Sequence, residues 1–382
     1  MTQFDLSQHI SVDDHLVEVP DLWQRWLPSK FADRAPRVVR MSPTADGWQF
    51  EDRLDKVYGT AVFRHDHTVQ AHDVTYDEMR PGCYDPEARI ADMDSDGIAA
   101  SLCFPLMPGF GGNKFSAAKD KDLGLACIEA YNNYILDEWC ATAPGRYIPA
   151  VILPLWDAQL AAREVERTAA KGARAIAFTE DPVPEGFPSI HDPDRFWDPV
   201  FAAVSEADIP LCMHMGSSSF MIGARPDRPW FATHSLAVLN STFAFVDWMT
   251  SDHFARFPNL RICLSEGGIG WMPHILQHLD DMWVKYPEWT RKASPDLPSS
   301  YIRDHVFGCF IEDEFGARNI ETIGVGNVMS ETDYPHADSA WPNSHKSLLS
   351  QLQHLNDEQK YRVLRGNAER FFAFTATGVG QR

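Results

Sequence analysis

Five strand-like segments of this chain end in Asp, Glu or His. They are Ser11-Val12-Asp13-Asp14-His15, Ala177-Phe178-Thr179-Glu180, Cys212-Met213-His214, Leu264-Ser265-Glu266 and Ser330-Glu331-Thr332-Asp333. Carboxylate oxygens and imidazole nitrogens are ligands for divalent and trivalent cations. The two-residue period of a strand puts Asp13 and His15 on one face and Asp14 on the other. Taken singly, each acid is as readily a helix cap, and each His a hydrogen-bonded core residue. Gathered at one place, the carboxylates Asp13, Glu180, Glu266 and Asp333 would repel one another unless a cation neutralised them. The candidate metal set is therefore Asp13, His15, Glu180, His214, Glu266 and Asp333.

Parallel strands joined by crossover helices are what would bring such ends together, because the carboxyl ends of the strands of a (β/α)8 barrel converge on one site. Short apolar segments alternate with helix-like ones along the chain, and eight can be read as strands: 10–15, 99–104, 147–154, 174–180, 209–215, 260–266, 305–311 and 327–333, the first and third least regular. Asp157–Lys171 reads as a connecting helix, with Asp157 as cap, Leu160, Val165 and Ala169 as an apolar stripe, and Gly172 as stop. The expected fold is α/β, a (β/α)8 TIM barrel spanning 1–382 as one domain. Residues 39–86, rich in Pro, Gly, Asp and His, interrupt the alternation as an insertion after strand one, a lid or subunit contact over the catalytic face.

The chain has 382 residues, 44% of them hydrophobic, enough for one large core. A net charge of -20 without a compensating basic cluster argues against nucleic acid and anionic lipid as partners. No apolar run is long enough to cross a bilayer, and the N-terminus lacks a signal-peptide pattern. A cytoplasmic enzyme with a small-molecule substrate, assembled as a homodimer, is the expectation. The seven cysteines form no CxxC pair and read as reduced core residues.

In the order and barrel positions of Asp13-Asp14-His15, Cys212-Met213-His214 and Glu331-Thr332-Asp333-Tyr334-Pro335-His336, the chain resembles the amidohydrolase-related barrel enzymes, among them aminocarboxymuconate-semialdehyde and resorcylate-type decarboxylases. The resemblance runs from Ile10 to about Phe372. It implies metal ligation by the strand-one pair, the strand-five His and the strand-eight Asp. Two departures stand out. Glu266 occupies strand six where the decarboxylases carry a His, and Glu180 stands where binuclear amidohydrolases place a bridging group. With these acids the inventory becomes oxygen-rich, suiting iron or manganese better than zinc. The chain thereby resembles the family's non-haem di-iron monooxygenase branch, of the platensimycin and platencin biosynthesis type. On that resemblance two iron ions would activate dioxygen to hydroxylate a bulky, terpenoid-like substrate, an oxidoreductase reaction, with zinc or manganese as alternative metals.

Glu266, Asp333 and His336 are the candidate catalytic residues, with Asp338 beside them, and Phe104, Met107, Phe110 and Trp341 are the candidate substrate contacts, joined by Tyr84. Hydrolysis or non-oxidative decarboxylation at the same site is the alternative, with Asp333 as base. A binding protein on an inactive barrel would have no reason to carry the electrostatic cost of the acids. Gly216-Ser217-Ser218-Ser219 reads as a tight turn, and His65, His67 and His72 match a metal cluster by spacing only.

Overall fold

The computed structural model describes residues 4–68 and 73–379. Its first strand, β1 (His9–Leu16), is followed by β2 (Arg37–Ser42), β3 (Ala45–Phe50) and β4 (Arg53–Lys56), and then by β5 (Ile98–Pro105), β6 (Tyr147–Ile148), β7 (Ala150–Val151), β8 (Ala175–Phe178), β9 (Leu211–His214), β10 (Ile262–Ser265), β11 (Val306–Phe310) and β12 (Val328–Ser330). Two parallel arcs, β1-β5-β6 and β7-β8-β9-β10-β11-β12, account for all eight expected barrel strands. The third is split because Pro149 has no N–H for the ladder. Its carbonyl still accepts from the amides of Arg174 (2.8 Å) and Ala175 (3.1 Å), so the two halves act as one strand.

The ring closes where the chain leaving β12 meets β1. Asp333 donates its amide to the Asp13 carbonyl (2.8 Å), and His15 donates to the Tyr334 carbonyl (2.7 Å). Three candidate ligand positions, Asp13, His15 and Asp333, are thus fixed by the closing hydrogen bonds themselves. Within β1, Ser11 pairs with Ser101 and Asp14 with Cys103, three steps against two, which is a bulge. Strand alternation turns Asp14 away from Asp13 and His15, and the bulge brings Ser11 to the same side as Asp14. Asp14 then accepts from Ser11 Oγ (2.9 Å), the Tyr334 amide (3.0 Å) and the hydroxyls of Ser101 and Thr332, joining β1 to its neighbours on both sides.

The helix Ala158–Ala170 forms as expected, with Asp157 accepting from the amides of Gln159 and Leu160. Its buried face is Ala158, Ala161, Ala162, Val165 and Thr168, whereas Leu160 and Ala169 lie half-buried at its flanks. All seven cysteines are free and buried. Among the described residues, no helix is long and apolar enough to cross a membrane.

The insertion is more regular than its composition suggests, because β2, β3 and β4 form an antiparallel sheet. Its end is latched to the barrel through the buried Asp92. Arg80 Nε (2.8 Å) and Tyr334 Oη (2.6 Å) donate to the Asp92 carboxylate, and Trp341 Nε1 donates to its carbonyl (3.1 Å). Arg80 also lies over the Trp341 ring, 5.0 Å from its centroid. Removing the carboxylate strands a buried phenol and a largely buried guanidinium. We expect Asp92→Ala to lower unfolding free energy by about 2–3 kcal/mol. Urea titration followed by circular dichroism checks this, and an unchanged midpoint would contradict the latch.

Candidate metal centre

Four of the expected ligands converge at the carboxyl ends of the strands. Asp13, His15, His214 and Asp333 each offer an atom within 4.8 Å of every other, and all four are buried. His15 Nε2 lies 3.1 Å from Asp333 Oδ1 and 3.7 Å from Asp13 Oδ1. His214 Nε2 lies 3.6 Å from Asp13 Oδ2 and 3.0 Å from His15 Nε2. His214 Nδ1 approaches the Met215 carbonyl to 2.6 Å, which fixes the ring hydrogen there and turns the Nε2 lone pair into the site.

The carboxylate oxygens of Asp13 and Asp333 are buried, and none makes an aligned hydrogen bond. Buried charge without partners is costly, and a cation held between the imidazoles and these oxygens would satisfy them. The donor set therefore fits a divalent metal. Burial drives Asp13 well above the usual carboxylate range, and the charges of Glu331, Asp333 and Glu266 drive it further. Burial also raises Glu331, to about 8. His15 is pushed well down by burial and by its neighbours His336 and His214. For His336 burial pulls the other way, but Asp333, 2.9 Å from its Nδ1, wins and raises it.

Glu266 and Asp333 both adopt left-handed backbone, at φ 57° and 55°. A non-glycine residue there is sparsely populated, and two such residues, after β10 and β12, mark a site where geometry outweighs local strain. Glu266 Oε2 reaches 2.9 Å from His214 Nε2, and Glu266 groups with His15, Asp333 and His336. His336 stacks on His15 with centroids 3.7 Å apart.

Glu180 does not join the four. Its Oε1 already accepts from the Gly216 amide (2.8 Å), Ser218 Oγ (2.9 Å) and Asn240 Nδ2 (2.7 Å), so it anchors the turn after β9. Gly216–Ser219 is that turn. Asp338 pairs with His234 Nε2 at 2.8 Å, and the two group with Glu266 at the edge of the site. Phe110 packs on both imidazoles, 4.1 Å from His214 and 4.7 Å from His15, with Phe104 behind at 5.3 Å from His214. Met107 and Phe110 line a cavity of about 640 Å³. Trp341 belongs to the latch instead, and Tyr84 packs on Tyr76. His65 contacts the Asp77 carbonyl and His67 contacts Arg80, while His72 lies outside the described residues. The residue missed from sequence is Glu331, buried, with Oε2 accepting from the Glu266 amide (3.2 Å) and Oε1 unpartnered. The two-residue strand period relating it to Asp333 was the available signal.

With this geometry, the chain belongs to the amidohydrolase family (Amidohydro_2), whose sequence profile matches residues 15–374. It is similar to gamma-resorcylate decarboxylase of Polaromonas sp. (strain JS666 / ATCC BAA-500), 24% identical over 342 residues, covering 84% of this chain and 97% of that one. It is likewise similar to 2-amino-3-carboxymuconate-6-semialdehyde decarboxylase of Dictyostelium discoideum, 24% identical over 309 residues, covering 77% and 78%. Among solved structures, an amidohydrolase of Mycobacterium avium subsp. paratuberculosis K-10 superposes with a TM-score of 0.76 at 21% identity, covering 96% and 97%. The 5-carboxyvanillate decarboxylase of Novosphingobium aromaticivorans DSM 12444, complexed with manganese and 4-hydroxy-3-methoxy-5-nitrobenzoic acid, superposes with a TM-score of 0.67 at 18% identity, covering 96% of each chain.

These relatives correct the oxidative expectation. They are lyases that remove carbon dioxide, so the monooxygenase, oxidoreductase and di-iron readings are withdrawn. Glu180, which prompted the two-metal count, lies outside the four-residue group, with Oε1 committed to three donors and its buried Oε2 without a hydrogen-bond partner.

A cation that fits the four-residue group should stabilise the fold by linkage, by about 2.7 kcal/mol at a hundredfold excess over Kd. Adding Mn(II) or Zn(II) to chelator-treated protein should raise its melting temperature by several degrees, and His214→Ala protein should not respond. An equal response of both would remove His214 from the centre.

Proposed function

We propose that this protein is a metal-dependent, non-oxidative decarboxylase of a hydroxylated aromatic or similarly unsaturated carboxylic acid. The observation that carries the reading is the pair of buried, unpartnered carboxylates, Asp13 and Asp333, facing two imidazoles beside His336. The family relatives supply the reaction class. Asp13, His15, His214 and Asp333 would hold one divalent cation, of the manganese or zinc kind. When bound, it supplies the positive charge that anchors the substrate's anionic oxygens and draws electron density from the ring.

The rest falls to the chain's own residues. Decarboxylation breaks the bond between a ring carbon and the carboxylate, leaves the electron pair on carbon and releases carbon dioxide. One proton must then arrive at that carbon. His336 is the candidate carrier, because its Nδ1 lies 2.9 Å from Asp333 and its ring stacks on His15 at the mouth of the site. Its Nε2 has no partner among the described residues. In this reading His336 takes the acid–base role that, in the decarboxylases the chain resembles, belongs to the strand-six His. Glu266, with Oε2 2.9 Å from His214 Nε2, adds a further carboxylate at the edge of the cation site. Phe110 covers both rings and keeps bulk water from the reacting carbon.

Manganese-loaded enzyme, offered 2,6-dihydroxybenzoate and 5-carboxyvanillate under strict anaerobiosis, should release one carbon dioxide per acid consumed. His336→Asn should cut kcat by about a hundredfold or more while retaining metal. Substrate loss that requires dioxygen, or full turnover by His336→Asn, would overturn the proposal.

A further inference from the structure

We infer that the cavity beneath the inserted sheet is a substrate subsite for a neutral, apolar substituent at least as large as a second ring, carried by the acid that is decarboxylated. The inference rests on the decarboxylase reading and adds the shape of its substrate. The cavity, about 640 Å³, lies within the range of roughly 300–1,000 Å³ typical of sites for drug-sized ligands. Trp48, Val57, Leu106, Met107, Phe110 and Met221 supply its apolar lining. Trp48 and Val57 come from the insertion, Leu106, Met107 and Phe110 from the loop after β5, and Met221 from the segment after β9. Three separate parts of the chain thus converge on a space that a bare benzoic acid at the metal would leave empty.

Continuity with the metal centre runs through Phe110, which lines the cavity on one side and packs on His214 and His15 on the other. Its rotation would join the two spaces. The opposite wall is rigid. Trp48 is buried and meets Trp23 edge to face at 5.1 Å. The buried Glu18 accepts from the amides of Leu106 (3.0 Å) and Met107 (2.8 Å), fixing the loop from beneath. A preformed wall of this kind reduces the ordering cost of binding.

The polarity of the occupant follows from the charges at the rim. Lys114 and Lys56 are the cations in the wall, and each already faces a carboxylate. Lys114 Nζ lies 3.2 Å from Asp55 Oδ2, and Lys56 Nζ lies 3.0 Å from Asp73 Oδ2. A second carboxylate would have to displace one of these acids, whereas an aryl or polycyclic hydrocarbon group needs no counter-charge. The subsite therefore selects against diacids and for a neutral extension.

Binding of phenolic product analogues to the manganese-loaded enzyme tests this without turnover. Calorimetry with resorcinol, phenyl-substituted resorcinols (4- and 5-isomers) and their carboxyphenyl counterparts should show at least one phenyl isomer bound about tenfold or more tighter than resorcinol. The matching carboxyphenyl compound should show no such gain. In Leu106→Trp, and in Met221→Trp should the first variant not fold, the phenyl-to-resorcinol affinity ratio should fall to about one. A ratio near one in the native enzyme, an unchanged ratio in the folded variants, or preference for the carboxyphenyl compound would overturn the subsite. Tight phenyl binding with no carbon dioxide from any acid would sink the decarboxylase reading while leaving the subsite standing.

Discussion

Everything at the carboxyl end of this barrel depends on how buried carboxylates are neutralised. Asp13, Glu331 and Asp333 are almost completely buried and Glu266 stands at their edge, and the charges of the other three add to the burial that lifts Asp13. At such spacings like charges in a poorly solvated site repel by several kcal/mol, so the arrangement persists only with compensation. The neighbouring Asp14 shows the other solution. It is as deeply buried, yet four donors and the nearby Arg89 compensate it, and burial raises it only to about 6. One strand thus carries an acid satisfied by protein beside an acid left for a cation.

The backbone makes that division possible. Strand alternation in β1 separates Asp14 from Asp13 and His15, the bulge sets Ser11 beside Asp14, and the closing hydrogen bonds between β1 and the chain after β12 set Asp13 against Asp333. The left-handed turns at Glu266 and Asp333 then swing their side chains off the strand direction. The insertion is tied to the same frame, since Tyr334, next to Asp333, accepts from the His15 amide at the strand-one seam through its carbonyl and donates to Asp92 through its hydroxyl. The metal centre and the insertion share one set of anchors.

Much of this was legible in the sequence, because parallel strands obey a simple rule: apolar runs ending in polar residues converge at one face. That rule placed the eight strands and brought Asp13, His15, His214, Glu266 and Asp333 together. It could not separate a ligand from an acid committed to a turn, and so Glu180 was counted and the chemistry read as oxidative. Its donors, Gly216, Ser218 and Asn240, lie 36 to 60 residues away. Trp341 was misplaced for a similar reason, since an aromatic near a site reads alike whether it contacts substrate or latches a loop. The inserted sheet was hidden because its strands are short and its composition turn-rich.

The central claim is that a single cation balances Asp13 and Asp333 between two imidazoles. An anomalous difference map recorded at the manganese edge, from crystals grown with Mn(II), tests it most directly. The account predicts one strong peak per chain bounded by Asp13, His15, His214 and Asp333. A peak centred on Glu180 instead, or no peak in crystals whose dissolved protein still carries manganese, would contradict it.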